Sequence, residues 1–148
     1  MAAQPMKILL VDDDPDDVVL TKAELKEARF LSELSVVRDG VEAMAYLRRE
    51  GKYRKAPRPD AILLDLNMPR KNGREVLVEI RAMADPELRD IPVIVLTSSQ
   101  ADRDMFTAGF HHANFINKPV TANELLVVLH KPRNFFATTE KPPKREKE

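Results

Sequence analysis

At 148 residues the chain is long enough to bury one core and short for two domains of usual size. Lys plus Arg and Asp plus Glu each number 24, so the formal net charge is zero and no overall field attracts nucleic acid or an anionic membrane. The lack of cysteine excludes disulfides, thiolate nucleophiles and thiolate metal sites, no apolar run approaches a membrane span, and "MAAQPMK" lacks the layout of a secretory signal, so a cytoplasmic protein is expected.

In chain order, short apolar runs alternate with stretches of helical period. "KILLV" (Lys7 to Val11) reads as a first strand buried on both faces. It runs into "DDDPDD", Asp12 to Asp17, five carboxylates around one proline. Carboxylates favour a helix N-terminus, which accounts for Asp16 and Asp17 and can account for Asp14. Capping does not account for three acids in a row at a strand end.

"LSVVR" (Leu34 to Arg38) is the second strand, followed by a helix whose stripe is Val41, Met44 and Ala45. "EGKYRKAPRPD" (Glu50 to Asp60), with Gly, prolines and cations, reads as a long loop. "AILLD" (Ala61 to Asp65) is the third strand, and Val76, Ile80 and Met83 mark the next helix. "PVIVL" (Pro92 to Leu96) and "NFINK" (Asn114 to Lys118) are the fourth and fifth strands, with Leu125, Val128 and Leu129 on a last helix. The ending "HKPRNFFATTEKPPKREKE" opens on a proline stop and closes on a charged tail expected to be disordered from Lys141. We place the folded domain at 1–131 and a C-terminal extension at 132–148.

Strand and helix alternating in this way imply a five-stranded parallel sheet, doubly wound, with helices on both faces. Ligands of such sheets bind at the carboxyl ends of the strands. The residues there are Asp12, Asp13 and Asp14, then Asp65, then Thr97 with Ser98 and Ser99, then Lys118 with Pro119. Clustered carboxylates need protons or a cation, and all-oxygen ligands select Mg²⁺, Ca²⁺ or Mn²⁺. Mg²⁺ is commonly held by one or two carboxylates together with water and phosphate oxygens. An aspartate can also attack phosphorus to give an aspartyl phosphate, a step that needs in-line positioning and neutralised equatorial oxygens. Here the ammonium of Lys118 and the hydroxyl of Thr97 are the available donors.

"VDDDPDD", "LLDLNMPRKNG", "VIVLTSS" and "FINKP", in this order, resemble the receiver domain of two-component response regulators over roughly Lys7 to His130. The resemblance implies a flavodoxin-like strand order of 2-1-3-4-5 with five helices. It implies Asp65 as phosphoacceptor, with Thr97 and Lys118 binding the phosphoryl oxygens. The metal, Mg²⁺ with Mn²⁺ as a substitute, would lie on Asp12, Asp13, Asp65 and the carbonyl of Asn67. A cis Lys118–Pro119 peptide and a switch linking Thr97 to the rotamer of Phe115 are implied as well. Such a protein is a signalling switch that catalyses its own phosphotransfer and dephosphorylation, with a sensor histidine kinase as partner.

"RDGVEAMAYLRREGKY", "APRPDAILLDLNMPRKNGREVL" and "NFFATTE" further resemble the stand-alone regulators paired with bacterial phytochrome histidine kinases. On that resemblance, Phe135 and Phe136 in the extension are expected to make homodimer contacts. His111, His112 and His130 read as surface residues. Two other functions fit parts of the sequence. Asp12 and Asp14 spell the D-x-D of haloacid-dehalogenase-type phosphatases, which would leave Asp65 without a role, and a pseudo-receiver would bind partners without phosphorylation.

Overall fold

The structure is a computed structural model that describes residues 5–29, 31–66, 68, 70–98 and 114–129. Its centre is a five-stranded sheet in the order β2-β1-β3-β4-β5, with every pair parallel. The strands are β1 (Met6–Val11), β2 (Ser32–Val37), β3 (Ala61–Asp65), β4 (Val93–Thr97) and β5 (Asn114–Asn117). Five α-helices stand among the described residues: α1 (Pro15–Glu27), α2 (Gly40–Arg48), α3 (Gly73–Arg81), α4 (Pro86–Arg89) and α5 (Ala122–Leu129). The crossover from β4 to β5 at 99–113, which contains His111 and His112, lies outside the described residues, as do His130 and the whole extension with Phe135 and Phe136.

Successive strand residues face opposite sides, and the core divides accordingly. Ile8, Leu10, Leu63 and Ile94 pack with Leu25 of α1 and Leu125 and Leu129 of α5. Leu9, Val11, Ile62 and Val95 pack with Met44 and Leu47 of α2 and Val76 and Ile80 of α3. Burying an aliphatic side chain of this size contributes about 1.5–3 kcal/mol, so both layers hold the sheet between helices and leave its ends to loops.

Two helix stripes differ from expectation: α3 ends at Arg81, so Met83 lies beyond the helix that carries Val76 and Ile80, and the stripe of α2 is displaced. On α2 the buried residues are Ala43, Met44, Tyr46 and Leu47, while Val41 is 46% exposed. Val41 lies in the first turn, and the face that meets the sheet is set by the larger Tyr46 and Leu47. The 50–60 loop contains one 3₁₀ turn, Gly51–Tyr53, whose tyrosine ring packs 5.3 Å from that of Tyr46. Arg58 ties the loop to the start of α4, donating to Asp85 at 2.9 Å and Glu87 at 3.0 Å.

Candidate active site

The strand registers bring the expected residues to one end of the sheet. Val11 pairs with Leu64, so Asp12 and Asp65 follow side by side. Asp65 in turn pairs with Leu96, and Thr97 with Asn117, which sets Thr97 and Lys118 one step further along. The backbone holds the positions: Asp12 N–H donates to the Val37 carbonyl at 3.0 Å, Leu66 N–H to Leu96 at 3.1 Å, and Lys118 N–H to Thr97 at 2.8 Å. The Lys118–Pro119 peptide is cis.

Asp12, Asp65 and Thr97 are buried, whereas Asp13 is exposed at the rim. One carboxylate oxygen from each of Asp12, Asp13 and Asp65 lies within 4.8 Å of the others. The Lys118 ammonium sits 3.2 Å from Asp65 Oδ1, 3.4 Å from Asp12 Oδ2 and 2.6 Å from Asp17 Oδ2. Asp13, Asp17, Asp65, Ser98 and Lys118 line a shared cleft of about 350 Å³ with Asp14 and Pro15. Asn67 lies outside the described residues, between Leu66 and Met68. Phe115 is half-buried on β5 and packs against the α2/α3 side of the core.

The electrostatics follow from three carboxylates, those of Asp12, Asp17 and Asp65, sharing one ammonium, with the Asp13 carboxylate beside them. Burial pushes the Asp12 carboxyl above its usual value and the neighbouring Asp17 charge adds to this, against the Asp14 N–H and Lys118. Burial alone would lower the Lys118 ammonium; the Asp17 hydrogen bond and the charges of Asp65 and Asp12 outweigh it and hold Lys118 protonated well above the ordinary lysine range. The carboxyl groups of Asp12, Asp13, Asp17 and Asp65 thus outnumber the one ammonium of Lys118, and the excess is negative charge. A hard divalent cation on the Asp12, Asp13 and Asp65 oxygens fits both that charge and that donor set.

The acidic run resolves into separate tasks. Asp14 is the N-cap of α1: its Oδ1 accepts from Asp16 N–H at 2.9 Å, while its own N–H donates to Asp12 Oδ1 at 3.0 Å. Asp14 is thus engaged at the helix start, as the capping reading allows, and Asp16 is exposed in the first turn. Asp17 departs from the capping reading, because its carboxylate turns to Lys118. Only the separation of 101 residues hides this pair from the sequence.

A second ion pair joins two loops at the same end of the sheet. Asp39 caps α2 through Glu42 N–H at 2.8 Å and accepts from Arg70 at 2.6 and 2.9 Å. Arg70 lies in the loop after Asp65 with a left-handed φ of 66°. Gly40 N–H donates to the Lys71 carbonyl at 3.0 Å, so the β2–α2 and β3–α3 loops are clasped together.

Comparison with known proteins agrees with this geometry. The family model of the response regulator receiver domain matches residues 8–130. The chain belongs to the response regulator receiver family. Response regulator Rcp1 of Synechocystis sp. (strain ATCC 27184 / PCC 6803 / Kazusa) is 40% identical over 136 residues, 91% of each chain. A solved Mn²⁺-bound form of response regulator Rcp1 has a TM-score of 0.68 and 39% identity over 95% of this chain and 100% of that one. The phosphorylated cyanobacterial phytochrome response regulator RcpA gives a TM-score of 0.70 and 42% identity, covering 95% of this chain and 100% of that one. The bacteriophytochrome response regulator AtBRR gives 0.77 and 33%, covering 97% and 99%. Membership makes the chain a two-component signalling protein whose partner class is a histidine kinase, and the acidic cluster fits a divalent metal. Among the described residues no helix is long and apolar enough to cross a membrane.

Proposed function

We propose that this receiver takes a phosphoryl group onto Asp65 from the phosphohistidine of a sensor kinase. The observation that carries this reading is the convergence of the Asp12, Asp13 and Asp65 carboxylates within 4.8 Å of one another, with the Lys118 ammonium 3.2 Å from Asp65. Asp65 oxygen bonds to phosphorus as the P–N bond to histidine breaks, and the imidazole leaves. Lys118 and the Thr97 hydroxyl bind phosphoryl oxygens as charge develops on them. Asp12, Asp13, Asp65 and the Asn67 carbonyl hold Mg²⁺, for which Mn²⁺ can substitute. The cation supplies neutralisation of the phosphoryl oxygens and of the carboxylates around them.

The receiver thus supplies the catalysis of its own phosphorylation and later dephosphorylation. Movement of Thr97 towards the acyl phosphate, with a change of rotamer at Phe115, shifts an existing equilibrium between two forms of the last strands and helices. Similarity to RcpA and AtBRR, together with the loop wording around Arg38 to Tyr53, supports a bacterial phytochrome kinase as donor. The domain would occupy 1–131, with 132–148 and its Phe135 and Phe136 serving a homodimer contact.

Intact mass after incubation with acetyl phosphate tests the central step. One added phosphoryl group is expected in the native protein with Mg²⁺, and none without Mg²⁺ or in Asp65→Asn. Labelling of Asp65→Asn at the native rate refutes Asp65 as the acceptor. Loss of labelling confined to Asp12→Asn would point instead to an Asp12 nucleophile. Dimerisation is read by multi-angle light scattering of the full chain: a dimer mass is expected for the native protein and a monomer mass for Phe135→Ala/Phe136→Ala, and a native monomer refutes the contact.

A further inference from the structure

Lys118 has three N–H donors and three carboxylates to receive them, and the shortest contact is with Asp17, at 2.6 Å against 3.2 Å for Asp65 and 3.4 Å for Asp12. Asp17 is not one of the three carboxylates grouped for a cation. It stands in the first turn of α1, a helix anchored by buried Thr21 and Leu25, so its carboxylate approaches from a fixed direction on the α1 side. The helix does not need Asp17 as its cap, because Asp14 fills that place. A phosphoryl group on Asp65 must therefore draw the ammonium away from, or share it with, a carboxylate outside the metal set.

We propose that Asp17 is a positioning residue that holds Lys118 back from Asp65 and slows phosphoryl uptake. This rests on the reading of Asp65 as phosphoacceptor. The retention acts through the lysine. Removing Asp17 frees one N–H donor for the incoming phosphoryl oxygens, and the gain must vanish when the lysine is absent. A general repulsion of the anionic donor by Asp17 would persist without Lys118.

The test is a double-mutant cycle on the full chain, with acetyl phosphate and saturating Mg²⁺, following initial uptake by intact mass. Asp17→Asn and Asp17→Ala are expected to label roughly threefold to tenfold faster than the native protein, the scale of a direct side-chain interaction. In a Lys118→Met background the same changes are expected to alter the rate less than about twofold. Unchanged or slower labelling in the single variants overturns the proposal, and so does equal acceleration with and without Lys118.

A readout independent of metal comes from ¹⁵N-lysine-labelled protein in EDTA. The Lys118 ammonium signal, assigned by its loss in Lys118→Met, is expected to be protected from exchange in the native protein and lost in Asp17→Ala; persistence in Asp17→Ala overturns the tether. Native labelling of Asp65→Asn would defeat the phosphoacceptor reading itself. An unlabelled Asp65→Asn beside an unaccelerated Asp17→Ala defeats the Asp17 proposal alone.

Discussion

At the scale of single residues, Asp39 shows how one carboxylate can serve two loops. Burial pushes its carboxyl up, but the Glu42 N–H and the Arg70 guanidinium outweigh this and hold it below the usual carboxylate value. A depressed folded pKa means that the stabilisation is present above the unfolded value, about 4, and is lost as pH falls through the lower folded value. Asp39→Asn keeps a competent cap and loses the charged partner of Arg70, so it should cost about 1 kcal/mol at pH 7. Asp39→Ala loses the cap as well and should cost about 1 kcal/mol more. Urea midpoints measured from neutral to acid pH should show the native-to-Asn difference shrinking below pH ~4. A difference that stays constant with pH would mean that Arg70 contributes nothing through charge.

Residues of this kind mark the limit of what the sequence discloses. Asp12, Asp65, Thr97 and Lys118 are legible because each follows an apolar run, and the ends of parallel strands must converge. Asp17 and Asp39 are not legible, because their partners Lys118 and Arg70 are 101 and 31 residues away. For an acid in the first turn of a helix, capping is the commoner explanation, and long cationic side chains give no spacing signal of their own.

At the scale of elements, the close contact between β3 and α3 decides where Asp65 points. Asn72 and Glu75 cap α3 reciprocally, each bond 3.0 Å long, and Gly73 N–H donates to the Leu66 carbonyl at 3.0 Å. A Cβ on Gly73 would stand 2.5 Å from the Asp65 carbonyl oxygen and 3.0 Å from Leu66 Cα, and both are backbone that cannot swing aside. Gly73→Ala should therefore destabilise the fold by about 1–3 kcal/mol. It should also slow phosphoryl uptake by roughly tenfold or more, since a shift of about 1 Å at a reacting group can cost about a hundredfold. Gly51→Ala is the control: its φ of 57° makes the change strained, but nothing lies within 4 Å of the added Cβ. It should cost about 1 kcal/mol and leave the uptake rate alone. Thermal melts and mass labelling of the two variants separate a general loss of stability from a displaced Asp65.

The same scale explains which elements could be read ahead. Strands buried on both faces announce themselves by Ile, Val and Leu runs, and those of β1, β3 and β4 lie within a residue of their expected ends. Val41 misled because its spacing to Met44 matches a helix stripe, while the sheet accepts the face bearing Tyr46 and Leu47. The four-residue α4 is too short to show a period; its only signal is the Asp85 cap followed by Pro86.

At the scale of the whole molecule, the carboxyl end of the sheet concentrates like charge in a chain whose net charge is zero. Asp12 and Asp65 are buried, and Asp13 completes the group, so folding brings Asp65 against the adjacent pair Asp12 and Asp13, from which it is far removed in the unfolded chain. A cation that binds only the folded arrangement stabilises it by RT ln(1 + [L]/Kd), about 2.7 kcal/mol at a hundred times Kd. At about 2–4 °C per kcal/mol for a chain near this size, Mg²⁺ should raise Tm by roughly 5–11 °C. Matched ionic strength from NaCl should do much less, because screening acts weakly on buried groups. Asp13→Asn should move Tm in opposite senses under the two conditions. Without Mg²⁺ the variant should melt no lower than the native protein, because one source of repulsion is gone; with Mg²⁺ it should lose most of the rise, because a ligand is gone. Calorimetry of both proteins in EDTA and in Mg²⁺ checks this. A native protein indifferent to Mg²⁺, or a variant that keeps the full rise, would show that the three carboxylates do not act as one metal site.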